Sequence, residues 1–165
     1  MQQYLTSSDL CRLTELPMGT LKRLRAAGSL LAAKPGGQGR GHADRWSLAQ
    51  VLGIAVARGL RRRGFSLEEA GPVLQYFFDM SPTQLEARFR DGQTCLAVFG
   101  TKILPRLVTR DSILENEQLD YSTAATAGLL PAVLDVQRIW EFIKLEAGKL
   151  KPKKETGTKK EAVPK

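Results

Sequence analysis

The sequence has few of the residues from which enzymes usually build nucleophilic and metal centres. It contains one histidine, His42, and two cysteines, Cys11 and Cys95, which are far apart and belong to no Cys/His cluster. It has no G-x-S-x-G motif, no H-E-x-x-H motif and no phosphate-binding glycine loop. We therefore predict no enzyme activity, no metal and no cofactor. A nuclease that uses carboxylates alone stays open as an alternative.

The sequence also lacks a long apolar run. None approaches the roughly 20 residues that a membrane-spanning helix needs. The N-terminus, MQQYLTSS, has no basic segment before an apolar one, which a signal peptide would have. Both cysteines lie among apolar residues, as is typical of small buried side chains in a reducing compartment. We predict a cytoplasmic, nucleoid-associated protein without membrane contact.

Positive charge is in excess but unevenly distributed. The 165 residues have a formal net charge of +8. Residues 1–77 hold 11 Lys and Arg against 5 Asp and Glu, residues 78–148 hold 7 against 10, and residues 149–165 hold 7 against 2. The basic first part indicates a polyanionic partner. The last part, rich in Lys and Pro, is predicted to be a disordered tail that either adds salt-dependent DNA affinity or only solubilises.

The first 27 residues predict two short helices. Thr6 and Asp9 are spaced as a capping pair, while Leu5 and Leu10 are spaced as a hydrophobic staple. Pro17 ends the following turn and suits the first turn of a second helix.

The second predicted helix has one apolar and one cationic side. At 100° per residue, Leu21 and Leu24 share the side that should be buried, and Arg25 lies at its border, where it pairs or packs. The opposite side carries two cations and two small residues: Gly19, Lys22, Arg23 and Ala26. Such a face can approach a phosphate backbone and a groove closely. The alternative is an ordinary solvated basic face.

Residues 35–46 form a glycine-rich basic segment, with four glycines beside Arg40, His42 and Arg45. Glycines permit tight reversal, and arginines can bind phosphates or enter a minor groove. A flexible surface loop has a similar composition. Because no ligand partner stands at metal spacing from His42, a phosphate or base contact is its favoured role.

Two capping boxes predict the next helices. Ser47–Gln50 opens a helix that ends in Arg61–Gly64, where cations suit the helix dipole and DNA equally well. Ser66–Glu69 opens another helix, which runs towards Phe77 and should break or bend near Gly71–Pro72.

The order of these parts resembles the N-terminal DNA-binding domain of the MerR family of bacterial regulators, over residues 4–78. One matching motif is TLKRLRAAGSL, similar to the family's Thr-Leu-Arg-aromatic-aromatic-Glu-x-x-Gly-Leu-Leu. The other is RRRGFSLEEAGPVL, similar to its Gly-Phe-Ser-Leu-Glu-Glu-Ile stretch. The resemblance implies a winged helix-turn-helix, with a recognition helix at 17–27 in the major groove and a wing at 35–46 on the flanking backbone.

Single positions can be carried over from this resemblance. Thr20 and Lys22 match the family's Thr and Arg on the reading helix, and Trp46 matches the aromatic residue that packs the wing. Together with the cationic positions described above, they predict a DNA-binding set: Thr20, Lys22, Arg23, Arg40, His42 and Arg45.

The sequence departs from the family pattern in several places. Arg23 and Leu24 stand where the family has aromatic residues, Arg25 stands where it has Glu, and Asp44 stands where it has Arg. These changes suggest a divergent branch, in which phage-type excisionases and terminase small subunits use a similar winged module.

The second half of the chain does not continue the family pattern. Instead of one long coiled-coil helix, Ser81–Gln84 caps a helix that ends near Arg90, and no heptad series follows. Residues 94–100 and 102–108 then predict two short strands, with Pro105 placing the second at an edge.

A last helix is predicted from Asp135, its N-cap, to Gly148, its stop. Its apolar stripe consists of Val136, Ile139, Trp140 and Ile143. Phe142 and Leu145 lie outside the stripe, so the helix is either buried in a small α/β segment or contacts a second copy.

These inferences give a mainly α fold with three parts. A winged helix-turn-helix at 1–78 precedes a small α/β dimerisation or partner-binding region at 79–148 and a disordered Lys-rich tail at 149–165. The predicted function is sequence-specific binding of double-stranded DNA by a homodimeric transcriptional regulator. Two alternatives remain: an architectural or assembly DNA-binding protein, excisionase-like or terminase-like, and an interaction domain that has lost DNA binding. Nothing in the sequence marks a small-molecule effector.

Overall fold

The structure, a computed structural model, describes residues 4–26, 32, 44–98, 105–111 and 132–150. In these ranges the chain is mainly helical, as predicted, with a two-stranded and a three-stranded antiparallel sheet. In chain order the elements are β1 Tyr4–Thr6, α1 Ser7–Thr14, α2 Met18–Ala26, β2 Arg45–Ser47, α3 Leu48–Arg62, α4 Leu67–Phe78, α5 Pro82–Arg90, β3 Cys95–Val98, β4 Arg106–Val108, β5 Ala132–Asp135 and α6 Val136–Gly148. None of these helices is both long and apolar enough to cross a membrane.

Four predicted helix starts are confirmed by side-chain capping. Thr6, Ser47 and Ser81 each accept a hydrogen bond from the backbone N–H three residues on, and the side chain at that position bonds back to the cap. Asp135 accepts from the N–H of Arg138 at 3.1 Å. Because these bonds join residues three apart, the local sequence is enough to locate them.

Helix α4 was predicted to break or bend near Gly71–Pro72, and it continues through Pro72 without a break. Proline removes one backbone donor from the helix. However, Val73 and Phe77 are fully buried, and α4 makes its most extensive contacts with α3. Packing of this face compensates for the lost hydrogen bond.

Helix α3 is the centre of the core. Ten of its 15 residues are buried, so it is enclosed on nearly all sides, and it contacts α1, α4, α5 and α6. Gly53 permits the close approach of α4, because a Cβ at this position would lie 2.9 Å from the Cβ of Phe77.

The two strands predicted at 94–100 and 102–108 are confirmed in part, as β3 and β4, and a third strand joins them. Residues 99–104 lie outside the described residues. Strand β3 pairs with β4, with Cys95 opposite Val108, and β4 lies at the edge as Pro105 predicts. On its other side β3 pairs with β5, with Leu96 opposite Leu134. Strand β5 was not predicted, because four residues directly before a helix cap show no pattern of their own.

A short sheet ties the start of the chain to the end of the glycine-rich segment. Strand β1 pairs with β2, with Leu5 opposite Trp46. Trp46 is fully buried, and its Nε1 donates to Ser7 Oγ at 3.0 Å. The sequence did not predict β1, since three residues are too few to show alternation.

One cluster of buried residues joins both halves of the chain, from Leu5 to Ala147. Helix α6 turns its predicted stripe inwards and contacts α1 and α3. Lys149 and Leu150 extend the end of α6, although they were assigned to the disordered tail. Leu150 bonds to the carbonyl of Ala147 and packs against the core. The rest of that tail lies outside the described residues.

Candidate nucleic-acid interface

Helix α2 is held to the molecule along one narrow side. Leu21 is buried and Leu24 is half-buried against the core, as the helical spacing predicts. The carbonyl of Pro17 accepts hydrogen bonds from the N–H groups of Thr20 and Leu21 and so forms the first turn. The opposite side is exposed and consists of Gly19, Lys22, Arg23 and Ala26.

The turn between α1 and α2 begins with a left-handed residue. Glu15 has a φ of 51°, in the region that glycine usually occupies at the end of a helix. Its carboxylate lies 2.5 Å from Arg62 and 3.4 Å from Arg58. The hydrogen bond and charge of Arg62, then the charge of Arg58, lower the pKa of Glu15. Arg58 also donates to the carbonyl oxygen of Thr14, so two α3 arginines fix the turn that aims α2.

The cations at the end of α3 have partners within the protein. Arg61 Nη1 donates to the carbonyl oxygen of Phe65 at 2.6 Å, across the turn that follows the helix. With the bonds from Arg58 and Arg62 to the α1–α2 turn, this gives these side chains a structural role. Arg63 is exposed and makes no ion pair with any residue that the structure describes.

Arg25 and Asp44, the two charge departures from the MerR-like pattern, contact each other. Arg25 Nη1 lies 2.7 Å from Asp44 Oδ2. The Asp44 side chain is 6% exposed and that of Arg25 is 46% exposed, so the pair is anchored from the buried carboxylate. Where the family pattern has Glu and Arg, this chain has Arg and Asp, which keeps opposite charges at the two positions. The pair joins the C-terminal half of α2 to the start of β2.

The predicted DNA-binding residues of α2 lie on its exposed side and at the border of that side. Thr20 and Arg23 line a cleft that α2 forms with α3 and α4, so Arg23 lies at the edge of the exposed side nearest this cleft. Lys22 lies beside Arg25 and Ala26 at a shallow depression at the other edge. Neither Lys22 nor Arg23 forms an ion pair or side-chain hydrogen bond with the described residues.

The predicted wing residues are only partly placed. Arg45 is half-buried on β2, opposite Thr6, and its side chain has no ion pair within the described ranges. It follows Asp44, whose bond to Arg25 brings this end of β2 beside α2. Arg40 and His42 lie outside the described residues.

Sequence reasoning did not identify the residues that position α2. Arg58 and Arg62 are four residues apart on one helical face, a spacing that allows two side chains to share a partner. That partner, Glu15, lies 43 and 47 residues earlier in the chain. No local pattern connects residues so far apart, so only the fold brings them together.

The described residues contain little that suggests other chemistry. No three of their His, Cys, Asp and Glu side chains lie close enough together to hold a metal ion. Both thiols are free; Cys95 is buried and Cys11 is half-buried, and burial raises the pKa of Cys11. No protein-family model matches the chain, and neither does any curated protein compared with it.

Proposed function

We propose that the protein binds double-stranded DNA sequence-specifically, as a MerR-like transcriptional regulator with α2 in the major groove. The outer face of α2 carries the proposal. Lys22 and Arg23 are exposed and have no partner among the described residues, and the small residues Gly19 and Ala26 flank them. Unpaired cations can neutralise phosphates without first breaking an internal bond, and small neighbours permit close approach to a groove.

The surroundings of α2 support the same proposal. Two short helices joined by a three-residue turn precede two further helices, and the strands that flank the two short helices pair with each other. This arrangement fits a winged helix-turn-helix. Arg45 lies near the end of the glycine-rich segment, where the wing is proposed to contact the flanking phosphates. The Arg25–Asp44 pair links this strand to α2 and helps to hold the two contact surfaces in register.

A homodimer formed through residues 79–148 is part of the proposal. In this region Phe142 and Leu145 are 53% and 61% exposed on α6, and large exposed apolar side chains are typical of interaction surfaces. Light scattering of the wild type should give a dimer. The variant Phe142→Glu/Leu145→Glu should give a monomer, and a monomeric wild type would contradict this part of the proposal.

Fluorescence anisotropy with labelled duplexes tests the DNA-binding claim. A preferred duplex is first selected from a random library and compared with unselected DNA. Lys22→Ala and Arg23→Ala should each weaken binding to the selected duplex by about 1–3 kcal/mol. Arg90→Ala is the matched control, since it removes another exposed arginine from α5. A wild type that does not prefer the selected duplex, or a control as defective as the α2 variants, contradicts the proposal.

An architectural or assembly role is the second candidate. It is supported by the chain after α4, where α5 spans nine residues and no described helix is long enough for the coiled coil of a standard MerR regulator. Integrase or terminase genes beside the coding sequence would favour this role. Binding that shows no promoter preference but bends or bridges DNA in single-molecule experiments would favour it as well.

A further inference from the structure

We propose that the cleft between α2, α3 and α4 binds a small amphipathic anion, with an apolar body and one acidic group. The cleft has a volume of about 490 Å³. Pockets that bind small molecules usually measure about 300–1,000 Å³ and combine apolar walls with a few charged groups. The proposed function assigns no role to this volume.

The floor of the cleft is apolar and is shared by three helices. Leu24 comes from α2, Ile54 from α3 and Leu74 from α4. Ala57 and Ala70 lie between them and are 6% and 1% exposed. Because their side chains are short, they leave space at the bottom of the cleft. A floor of this kind gains from contact with hydrocarbon or aromatic rings and offers nothing to a phosphate.

The rim of the cleft is cationic. Arg23, Arg58 and Arg61 line it, and no carboxylate is among the described residues that do. Arg58 and Arg61 are held in place by the carbonyls of Thr14 and Phe65. The Glu15 carboxylate lies 3.4 Å from Arg58 and offsets part of its charge, so Arg61 and Arg23 supply most of the positive charge beside the cleft. Arg23 has no such bond and is available to a ligand. A planar guanidinium binds carboxylate, sulfonate or phosphate groups well, so charge complementarity selects an anion.

Because of the location of Arg23, the ligand should affect DNA binding. This part of the inference rests on the proposed function. Thr20 and Arg23 belong both to the cleft wall and to the proposed DNA-reading helix. An anion bound to Arg23 therefore competes with a DNA phosphate for the same side chain. By linkage, the ligand and DNA must lower each other's affinity by the same factor.

Two fluorescent probes with one ring system test the cleft. The anionic probe is 8-anilinonaphthalene-1-sulfonate, and the neutral one is N-phenyl-1-naphthylamine, which lacks the sulfonate. We expect one sulfonate probe per chain, bound about fivefold more tightly than the neutral probe, the ratio that one favourable charged contact supplies. Equal affinity of the two probes, or several bound per chain, would overturn the inference.

Variants locate the probe. Arg23→Gln should remove the preference for the sulfonate probe, and Leu74→Ser should weaken the binding of both probes. Matched controls are Arg90→Gln and Leu145→Ser, which remove an exposed arginine and an exposed leucine elsewhere. Circular dichroism verifies that each variant is folded, and Leu74→Ala replaces Leu74→Ser if the latter is not. Loss of the signal in Leu145→Ser places the probe on α6 and contradicts the proposal.

A DNA titration separates this inference from the proposed function. If the sulfonate probe occupies the cleft and raises the apparent Kd for DNA in the wild type but not in Leu74→Ser, the ligand site and the proposed function are both supported. A bound probe with no DNA binding contradicts the proposed function but supports the ligand site. DNA binding without a bound probe contradicts the ligand site alone. Independent binding of the two overturns the proposed competition.

Discussion

Helices α2 and α3 each carry three cations but use them differently. On α3, Arg58, Arg61 and Arg62 bind carbonyl oxygens or Glu15. On α2 only Arg25 is paired, while Lys22 and Arg23 have no partner among the described residues. The two helices also differ in burial, since ten of the 15 residues of α3 are buried but only one of the nine residues of α2 is. The number of charges on a helix therefore does not locate a binding surface, because the partners that those charges already have must be known.

The largest expected difference concerns one glycine in each helix. Gly53→Ala in α3 should lower the free energy of unfolding by about 1–3 kcal/mol, because its Cβ would meet the Cβ of Phe77 at 2.9 Å. Gly19→Ala in α2 meets nothing within 4 Å and should stabilise the protein by up to about 1 kcal/mol through helix propensity. Urea denaturation of both variants measures the two changes.

The same pair of variants also probes close approach to DNA. Gly19→Ala adds a methyl group to the outer face of α2, so DNA affinity should fall although stability rises. Gly53→Ala should keep the DNA affinity of whatever fraction is folded. If Gly19→Ala binds DNA like the wild type, the close approach proposed for this face is wrong.

A smaller difference is expected between the arginines of the two helices. Arg58→Ala leaves the carbonyl of Thr14 and the carboxylate of Glu15 without this donor, and should cost about 1 kcal/mol of stability. Arg23→Ala removes no internal bond and should change stability by less than about 0.5 kcal/mol. Urea unfolding of both variants at one pH decides the matter. Equal losses of stability in the two variants would show that paired and unpaired arginines do not differ in their contribution to the fold.

Some of these features could be predicted from the sequence and others could not. The capping boxes at Thr6, Ser47 and Ser81 were predictable because each is complete within four residues. The outward side of α2 was predictable as well, since Leu21 and Leu24 fix its orientation by helical spacing alone. The pairing of Arg25 with Asp44 was not, because the two are 19 positions apart and meet only when β2 pairs with β1.

The Arg25–Asp44 pair allows a charge-swap experiment. Each single reversal, Arg25→Asp or Asp44→Arg, places like charges together and should destabilise the fold. The double reversal should recover a coupling energy of about 1 kcal/mol. Asp44 is buried and has a further interaction in the structure, so the recovery should be partial. Additive effects in a thermodynamic cycle from urea unfolding would show that the pair does not hold α2 to β2.

The smallest effect is expected at Glu15 and depends on pH. Its pKa in the folded protein is lowered from 4.5, first by the hydrogen bond from Arg62. The stability that it contributes is therefore complete above its unfolded pKa and is lost as the pH falls through the lower folded value. Glu15→Gln should be less stable than the wild type at pH 7 and equal to it in strong acid. Because the carboxylate is exposed, added salt should reduce the difference, and a difference that grows in acid would contradict this account.

The most direct test of the central claim is the salt dependence of DNA binding for Lys22→Ala/Arg23→Ala. Each lost phosphate contact lowers the slope of log K against log salt by about 0.9. The double variant should therefore bind more weakly and with a slope that is shallower by about 1–2. The control Arg90→Ala/Arg106→Ala, which removes the same charge from α5 and β4, should keep the wild-type slope. Identical slopes for the wild type and both double variants would contradict the assignment of α2 as the DNA-binding helix.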